Sequence, residues 1–270
     1  MKADFAVTYM NTVCTLKCKH CIALTPYHNT KIYFSTADIK KDIDAVFRLY
    51  EYVGHFDFEG GETLLQPELS ELITHALKYR SQFKQLNILT NATILPPLEL
   101  FEVCKSGNVF FVIGDYGEKL SVKLNELQAL LEKHGINYRC DVYHGDKQYY
   151  NGWIDFGDFK YKNLSAEQLK DKACRCYQSG NVARTMNGKL YKCTIQMAHI
   201  KHIPLKSDEY IDLHDASKTT EEQIKKWQKI RSGPVAACNY CNGFLTDGPR
   251  VPAAEQFAPG ELTDEMKFCP

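Results

Sequence analysis

The sequence predicts an α/β protein: a parallel sheet wound with helices, open or curled into part of a barrel, followed by a smaller cysteine-rich region. Three observations carry this prediction. Five strand-like apolar stretches alternate with stretches of helical spacing up to Tyr143, an alternation that implies parallel strands joined by right-handed crossovers. Each of the first four strand-like stretches ends in a polar or glycine-rich loop, where open sheets and barrels collect their chemistry. Beyond Tyr143 the alternation stops, and Cys174, Cys176, Cys193, Cys238 and Cys241 follow.

Residues 4–10 alternate Phe5, Val7 and Tyr9 with Ala6, Thr8 and Met10, the period of a strand. Ser35 and Asp38 then open a helix whose Ile39, Ile43, Val46, Phe47 and Tyr50 form one apolar stripe. Residues 55–58 make a second strand, followed by a helix carrying Leu69, Leu72, Ile73, Ala76 and Leu77. A third strand covers 86–89, and Pro96 and Pro97 introduce a short helix through Leu100, Phe101 and Cys104. Residues 109–113 are apolar enough for a strand buried on both faces. Ser121 is expected to cap a helix carrying Leu124, Leu127, Leu130 and Leu131, before a fifth strand over 136–143. The stretch Tyr149-Tyr150-Asn151-Gly152-Trp153 leads out of this pattern, and a boundary is expected near Leu164. Residues 180–194 read as a hairpin turning at Asn187-Gly188, and Thr219 with Glu222 caps a helix containing Ile224, Trp227 and Ile230. Three regions result: 1–163, 164–248 and a tail, 249–270.

The 270 residues are 44% hydrophobic, enough for a sizeable core. Lysine plus arginine equals aspartate plus glutamate at 33 each, so the chain lacks the electrostatic footprint of a nucleic-acid or membrane-surface binder. No stretch approaches the roughly 20 apolar residues of a membrane span, and the N-terminus lacks signal-peptide patterning. A soluble cytoplasmic protein with a small-molecule partner is expected. There, closely spaced cysteines bind metal or do redox chemistry, and seven of the eleven are clustered.

Directly after the first strand come Cys14, Cys18 and Cys21, at Cys-x3-Cys-x2-Cys spacing. Zinc would be closed by a fourth protein ligand, whereas three thiolates on a four-iron cluster leave one iron open. Gly60-Gly61-Glu62 follows the second strand, Thr90-Asn91 the third, and Gly114-Asp115 the fourth. Together these motifs resemble the radical S-adenosylmethionine (SAM) enzymes, whose partial (β/α) barrel holds a 4Fe-4S cluster by three cysteines. The resemblance implies Cys14, Cys18 and Cys21 as ligands and SAM on the open iron. It implies SAM contacts at Gly60, Gly61, Glu62, Thr90, Asn91 and Asp115. At the end of strand four the family commonly has serine, where this chain has Gly114-Asp115.

Cys176-x11-Gly188-x4-Cys193 with Cys238-x2-Cys241 resembles the opening of a SPASM domain, shortened to a twitch domain holding one auxiliary 4Fe-4S cluster. A structural zinc site is the alternative for these four thiols. Cys174 stands as a substitute ligand for Cys176. Cys104 and Cys140 read as small core side chains and Cys269 as a thiol in a frayed tail. His199 and His202, three apart, read as solvated or capping rather than metal-binding.

The resemblance extends to the 2-deoxy-scyllo-inosamine dehydrogenase type. It implies hydrogen-atom abstraction by a 5'-deoxyadenosyl radical, oxidation of a secondary alcohol of a carbohydrate or cyclitol, and electron transfer to the auxiliary cluster. A reductant such as flavodoxin or ferredoxin is expected. The tail Arg250-Val251-Pro252-Ala253-Ala254-Glu255-Gln256 is similar to that of radical SAM proteins of polysaccharide pathways. With the first strand starting near Asp4, no leader-recognition domain is expected before it, which lowers the expectation of a peptide substrate without removing it. An epimerase drawing hydrogen from Cys104 or Cys140, a peptide-modifying enzyme, and a non-catalytic metal or electron carrier are the alternatives. Arg139 and Tyr143, on the polar face of strand five with Asp141, are the candidate catalytic groups, although a surface or core salt bridge is the more ordinary role for Arg139, because one polar face does not identify a base.

Overall fold

A computed structural model describes residues 1–149 and 153–270 of the chain, so the middle of the predicted exit stretch, Tyr150, Asn151 and Gly152, lies outside the described residues. The strand–helix units follow the predicted order: β1 (Lys2–Tyr9), α1 (Thr36–Leu49), β2 (Tyr52–Glu59), α2 (Leu69–Ala76), β3 (Phe83–Thr90), α3 (Leu98–Gly107), β4 (Phe110–Asp115), α4 (Leu124–His134) and β5 (Tyr138–Val142). Then come α5 (Ala166–Arg175), α6 (Tyr177–Asn181), β6 (Val182–Met186), β7 (Lys189–Tyr191), α7 (Thr194–Met197), β8 (Ile211–Asp212) and α8 (Thr220–Ser232).

All eight strands form one open sheet in the order β5-β4-β3-β2-β1-β6-β7-β8. The first strand of the C-terminal hairpin, β6, pairs in parallel with β1, from Phe5 opposite Val182 to Tyr9 opposite Met186, so the sheet continues across residue 164. β7 and β8 extend it in antiparallel fashion. The hairpin turns at Asn187 and Gly188, both left-handed (φ +49° and +77°), the conformation that favours these residues.

Strand period two separates the two faces of the sheet. Ala6, Phe56, Phe58, Ile88, Phe111 and Ile113 enter the main core with the helices. Asp57 and Glu59 alternate with Phe56 and Phe58 and so belong to the opposite face. In α1, Ser35 caps by accepting from the Asp38 amide (3.1 Å), and the predicted stripe Ile39, Ile43, Val46, Phe47 and Tyr50 is buried. Burial at about 1.5–3 kcal/mol per large apolar side chain outweighs what intrinsic propensity gives a helix of this length.

α1 also fastens the C-terminal region. The Asp42 carboxylate accepts from the Gly188 amide (3.1 Å) and pairs with His214 (2.9 Å), while the Trp227 indole donates to the Tyr50 hydroxyl. Burial pushes the Asp42 carboxyl up to about 6, against the pull of Gly188 and His214.

Two local expectations are corrected, and one element the sequence reading lacks is added. Ser121 does not cap α4, whose N-cap is Lys123; its hydroxyl accepts from the Tyr116 amide (3.0 Å) and donates to the Gly114 carbonyl (3.1 Å), closing the turn after β4. α5 was not predicted, although Ser165 and Gln168 form its capping box. Cys269 is not in a frayed segment: it is fully buried, its amide donates to the Tyr27 carbonyl (3.0 Å) and its carbonyl accepts from Asn29 (3.1 Å). The chain end is therefore tied to the segment that follows the cysteine loop.

Candidate functional site

The cysteine loop leaves the C-terminal end of β1, and Asn11 fixes its course. Asn11 Oδ1 accepts from the Val13 (3.0 Å) and Gly61 (3.1 Å) amides, and its Nδ2 donates to the Glu62 carbonyl (3.3 Å). The amide of Glu62 in turn donates to the Val13 carbonyl (2.7 Å). This approach of two backbones requires glycine, since a Cβ at Gly61 would run into the Val13 carbonyl and one at Gly60 would lie 3.0 Å from Asn11 Oδ1. The glycine pair thus seats the loop after β2 directly on the cysteine loop.

Glu62 is buried, with Oε1 accepting from the Leu64 amide (3.0 Å) and Oε2 from the Asn91 amide (2.8 Å). Burial raises its pKa, opposed by these amides and the Thr90 hydroxyl. The carboxyl therefore locks the end of β2 to the end of β3. Asn91 reaches back to the cysteine loop through Nδ2, 3.2 Å from Thr15 Oγ1 and 3.6 Å from Cys14 Sγ. From the far end of the sequence, Gln256 Nε2 donates to Cys18 Sγ (3.1 Å), and its Oε1 accepts from the Lys17 amide (2.8 Å). Lys19 adds ion pairs to Glu255 (3.0 Å) and Glu261 (2.7 Å).

Cys14, Cys18 and Cys21 line an open cavity of about 330 Å³ together with Gly60, Gly61, Glu62, Thr90 and Asn91, a size at the lower end for small-molecule sites. Burial pushes the Cys14 thiol up to about 12 and Cys18 also upward, with neighbouring Cys21 adding to both. Such thiols ionise when a cationic centre replaces the proton. The side-chain donors from Gln256 and Asn91, and an amide from Leu16 to Cys14 Sγ (3.4 Å), suit sulfurs carrying negative charge. Three thiols facing an open cavity fit a cluster with one iron left for a further ligand.

The remaining predicted residues divide. Tyr143 lines the cavity beside Asp141, its ring stacked on Tyr116 at 5.5 Å. Asp115 does not line it; its carboxylate accepts from the Gly117 amide (2.9 Å) and meets His144 (3.1 Å). Gly114 does line it, and a Cβ there would lie 2.9 Å from the Tyr116 hydroxyl, so the tyrosine fills the room a serine would need. Arg139 also stays off the cavity, on the edge strand, with its side chain 58% exposed and bonded to Asp141 (3.1 Å). In its place the cavity wall carries Tyr9, Glu59 and Arg184, which sequence reasoning missed. Tyr9 donates to Glu59, whose carboxyl burial pushes up while Arg184 pulls it down. Strand period two on β1 and β2 signalled the first two; Arg184 required knowledge that β6 joins β1.

Cys176, Cys193, Cys238 and Cys241 line a second, smaller cavity of about 30 Å³, whereas Cys174 is exposed and does not contribute. Cys176 Sγ accepts from the Phe244 amide (3.4 Å). Burial drives up the thiols of Cys193, Cys238 and Cys241, the last to about 11. Among the described residues no three His, Cys, Asp or Glu side chains are placed to hold a single metal ion, and each thiol set instead lines a cavity of its own. Four thiols and no carboxylate around one small space fit a cluster whose irons all have protein ligands. His199 and His202 do not converge: the first bonds the Tyr191 hydroxyl (2.5 Å), the second the Phe159 carbonyl (2.9 Å). No helix among the described residues is long and apolar enough to cross a membrane.

No family model and no curated protein matches the sequence. Solved structures do. BtrN in complex with AdoMet and 2-DOIA is 16% identical, with 89% of this chain and 93% of that one covered at a TM-score of 0.53. Native anSMEcpe with bound AdoMet and Kp18Cys peptide is 13% identical, with 94% of each chain covered and a TM-score of 0.53. A histidine-tagged form of anSMEcpe with bound AdoMet is 15% identical, covering 94% and 93% at a TM-score of 0.50. At these identities the likeness is one of fold, and the fold is that of the radical SAM enzymes.

Proposed function

We propose that the chain is a radical SAM oxidoreductase that oxidises a secondary alcohol of a carbohydrate or cyclitol to a ketone. The observation that carries this reading is the pair of thiol sets, three cysteines on a roomy cavity at the C-terminal ends of the strands and four on a much smaller cavity of their own. Cys14, Cys18 and Cys21 would hold a 4Fe-4S cluster, and Cys176, Cys193, Cys238 and Cys241 an auxiliary one. When bound, SAM on the first cluster supplies hydrogen-atom abstraction, and the auxiliary cluster supplies an acceptor for one electron.

The alcohol balances these parts: its carbon loses a hydrogen atom, its hydroxyl loses a proton, one electron leaves, and a C=O bond remains. The chain's residues would position the alcohol and take the proton. Tyr143, Asp141, Glu59 and Arg184 present hydroxyl, carboxylates and guanidinium to the cavity, polar groups suited to a polyhydroxylated ring. Gly60, Gly61, Thr90 and Asn91 offer backbone and side-chain groups to SAM. Arg139 would act only through Asp141, and Asp115 only by shaping the turn after β4.

Dehydrogenation is favoured over cysteine-dependent epimerisation because Cys104 is buried in α3 among core residues and Cys140 does not line the cavity. The test is anaerobic incubation of the reconstituted protein with SAM, dithionite and a panel of hexoses, amino sugars and cyclitols. A product lighter by two hydrogens supports the dehydrogenase. In a parallel incubation in deuterium oxide, an isomeric product that has gained one deuterium on carbon replaces it with an epimerase, and turnover only of peptides added as a second panel replaces the substrate class.

A further inference from the structure

The small cavity of the second thiol set is lined by two lysines as well as four cysteines. Lys192 is 2% exposed, and all three of its donors go to backbone carbonyls at the C-terminal end of α8: Ile230 (3.2 Å), Arg231 (3.1 Å) and Gly233. Lys172, on α5, donates to the carbonyls of Cys241 (2.8 Å) and Cys238. Among the described residues lining this cavity there is no aspartate or glutamate. Two ammonium groups are thus held by uncharged acceptors in a space whose other ionisable groups are Cys176, Cys193, Cys238 and Cys241.

A buried cation is costly unless a counter-charge faces it. Four thiolates around a cubane core supply one, because the centre carries net negative charge and gains one more when it accepts an electron. Charge and hydrogen bonding close to the sulfurs set the potential of such a centre. A cation fixed nearby stabilises the reduced form more than the oxidised form. Zinc, which takes no electron, would leave this arrangement without redox consequence.

We propose that Lys172 and Lys192 are positioning residues of the auxiliary centre, raising its reduction potential so that it accepts the last electron of the oxidation. This rests on the second cluster of the reading above. Lys172 has the further effect of tying the Cys238–Cys241 loop to α5 through the carbonyls of the two ligands themselves.

The test uses the full-length chain with Cys14, Cys18 and Cys21 replaced by alanine, so that only the second set takes up iron and sulfide. The midpoint potential is read by electron paramagnetic resonance during an anaerobic dithionite titration. Lys192→Met and Lys172→Met each remove a charge while keeping side-chain length, and Lys192→Arg and Lys172→Arg keep the charge. Each methionine variant is expected to load as much iron as its parent and to show a more negative midpoint, with the arginine variants returning towards the parent. Loaded methionine variants with the parent's midpoint would overturn the inference alone. If circular dichroism shows Lys192→Met unfolded, the Lys172→Met midpoint decides. A parent that takes up zinc but no iron would overturn the second cluster and the inference with it.

Discussion

Position 61 concentrates the argument at the residue scale. Gly61→Ala places a methyl group against the Val13 carbonyl and the Cys14 amide. Overpacking of this kind costs about 1–3 kcal/mol, and here it also displaces the loop that carries the first thiol set. The expected outcome is a lower melting temperature together with loss of about half the iron, measured on one preparation; full iron at both sites would contradict it. Asp57 gives a second test, through pH. Burial, reinforced by Glu59, pushes its carboxyl up to about 7 despite the Asn87 hydrogen bond (2.6 Å). An acid whose folded value lies above its unfolded value of about 3.9 favours the protonated, folded state. Its contribution is greatest at low pH and is lost as pH rises from about 4 through about 7. Chemical denaturation of wild type and Asp57→Asn is expected to show their stability difference shifting against wild type across that window, whereas parallel curves would contradict the assignment. At this scale the cysteines were legible because their spacing is local. Asn11, Gln256 and Arg184 were not, because their partners lie far away in sequence: Gln256 bonds a thiol 238 residues before it.

Elements were legible where a stripe and a cap agreed. The α1 stripe and its Ser35 cap were both visible, as was the Thr219–Glu222 capping box of α8 with buried Trp227 and Ile230. Ser121 misled because a serine before an apolar run also closes a turn, as its bonds to Tyr116 and Gly114 do. α5 was missed for the opposite reason: it buries only Ala173, so no stripe accompanied its capping box. Thr219→Ala is expected to cost about 1 kcal/mol, read as a lower midpoint in thermal unfolding with iron content unchanged. Iron loss in this variant would mean that α8, whose far end receives Lys192, holds the second thiol set more directly than the hydrogen bonds indicate.

At the scale of the whole molecule the sheet joins what the sequence divides. Alternating strands and helices made the parallel β1–β5 half legible, since each pairing follows chain order or its local neighbours. The pairing of β6 with β1 was not, because nothing near Val182 names its partner Phe5, 177 residues earlier. That pairing brings Arg184 to the cavity beside Tyr9 and Glu59, and α1 holds the following turn through Asp42. Two cubane clusters predict about eight irons per chain, falling to about four in Cys193→Ala with the first cluster intact; an unchanged count would remove the second cluster from the account. The central claim, that three thiols at the end of β1 leave an iron open for SAM, is tested most directly by product analysis. Anaerobic protein given SAM and dithionite is expected to release 5'-deoxyadenosine and methionine, and Cys14→Ala to release neither. A reconstituted, iron-loaded wild type that cleaves no SAM, or a Cys14→Ala variant that cleaves it equally well, would contradict that claim.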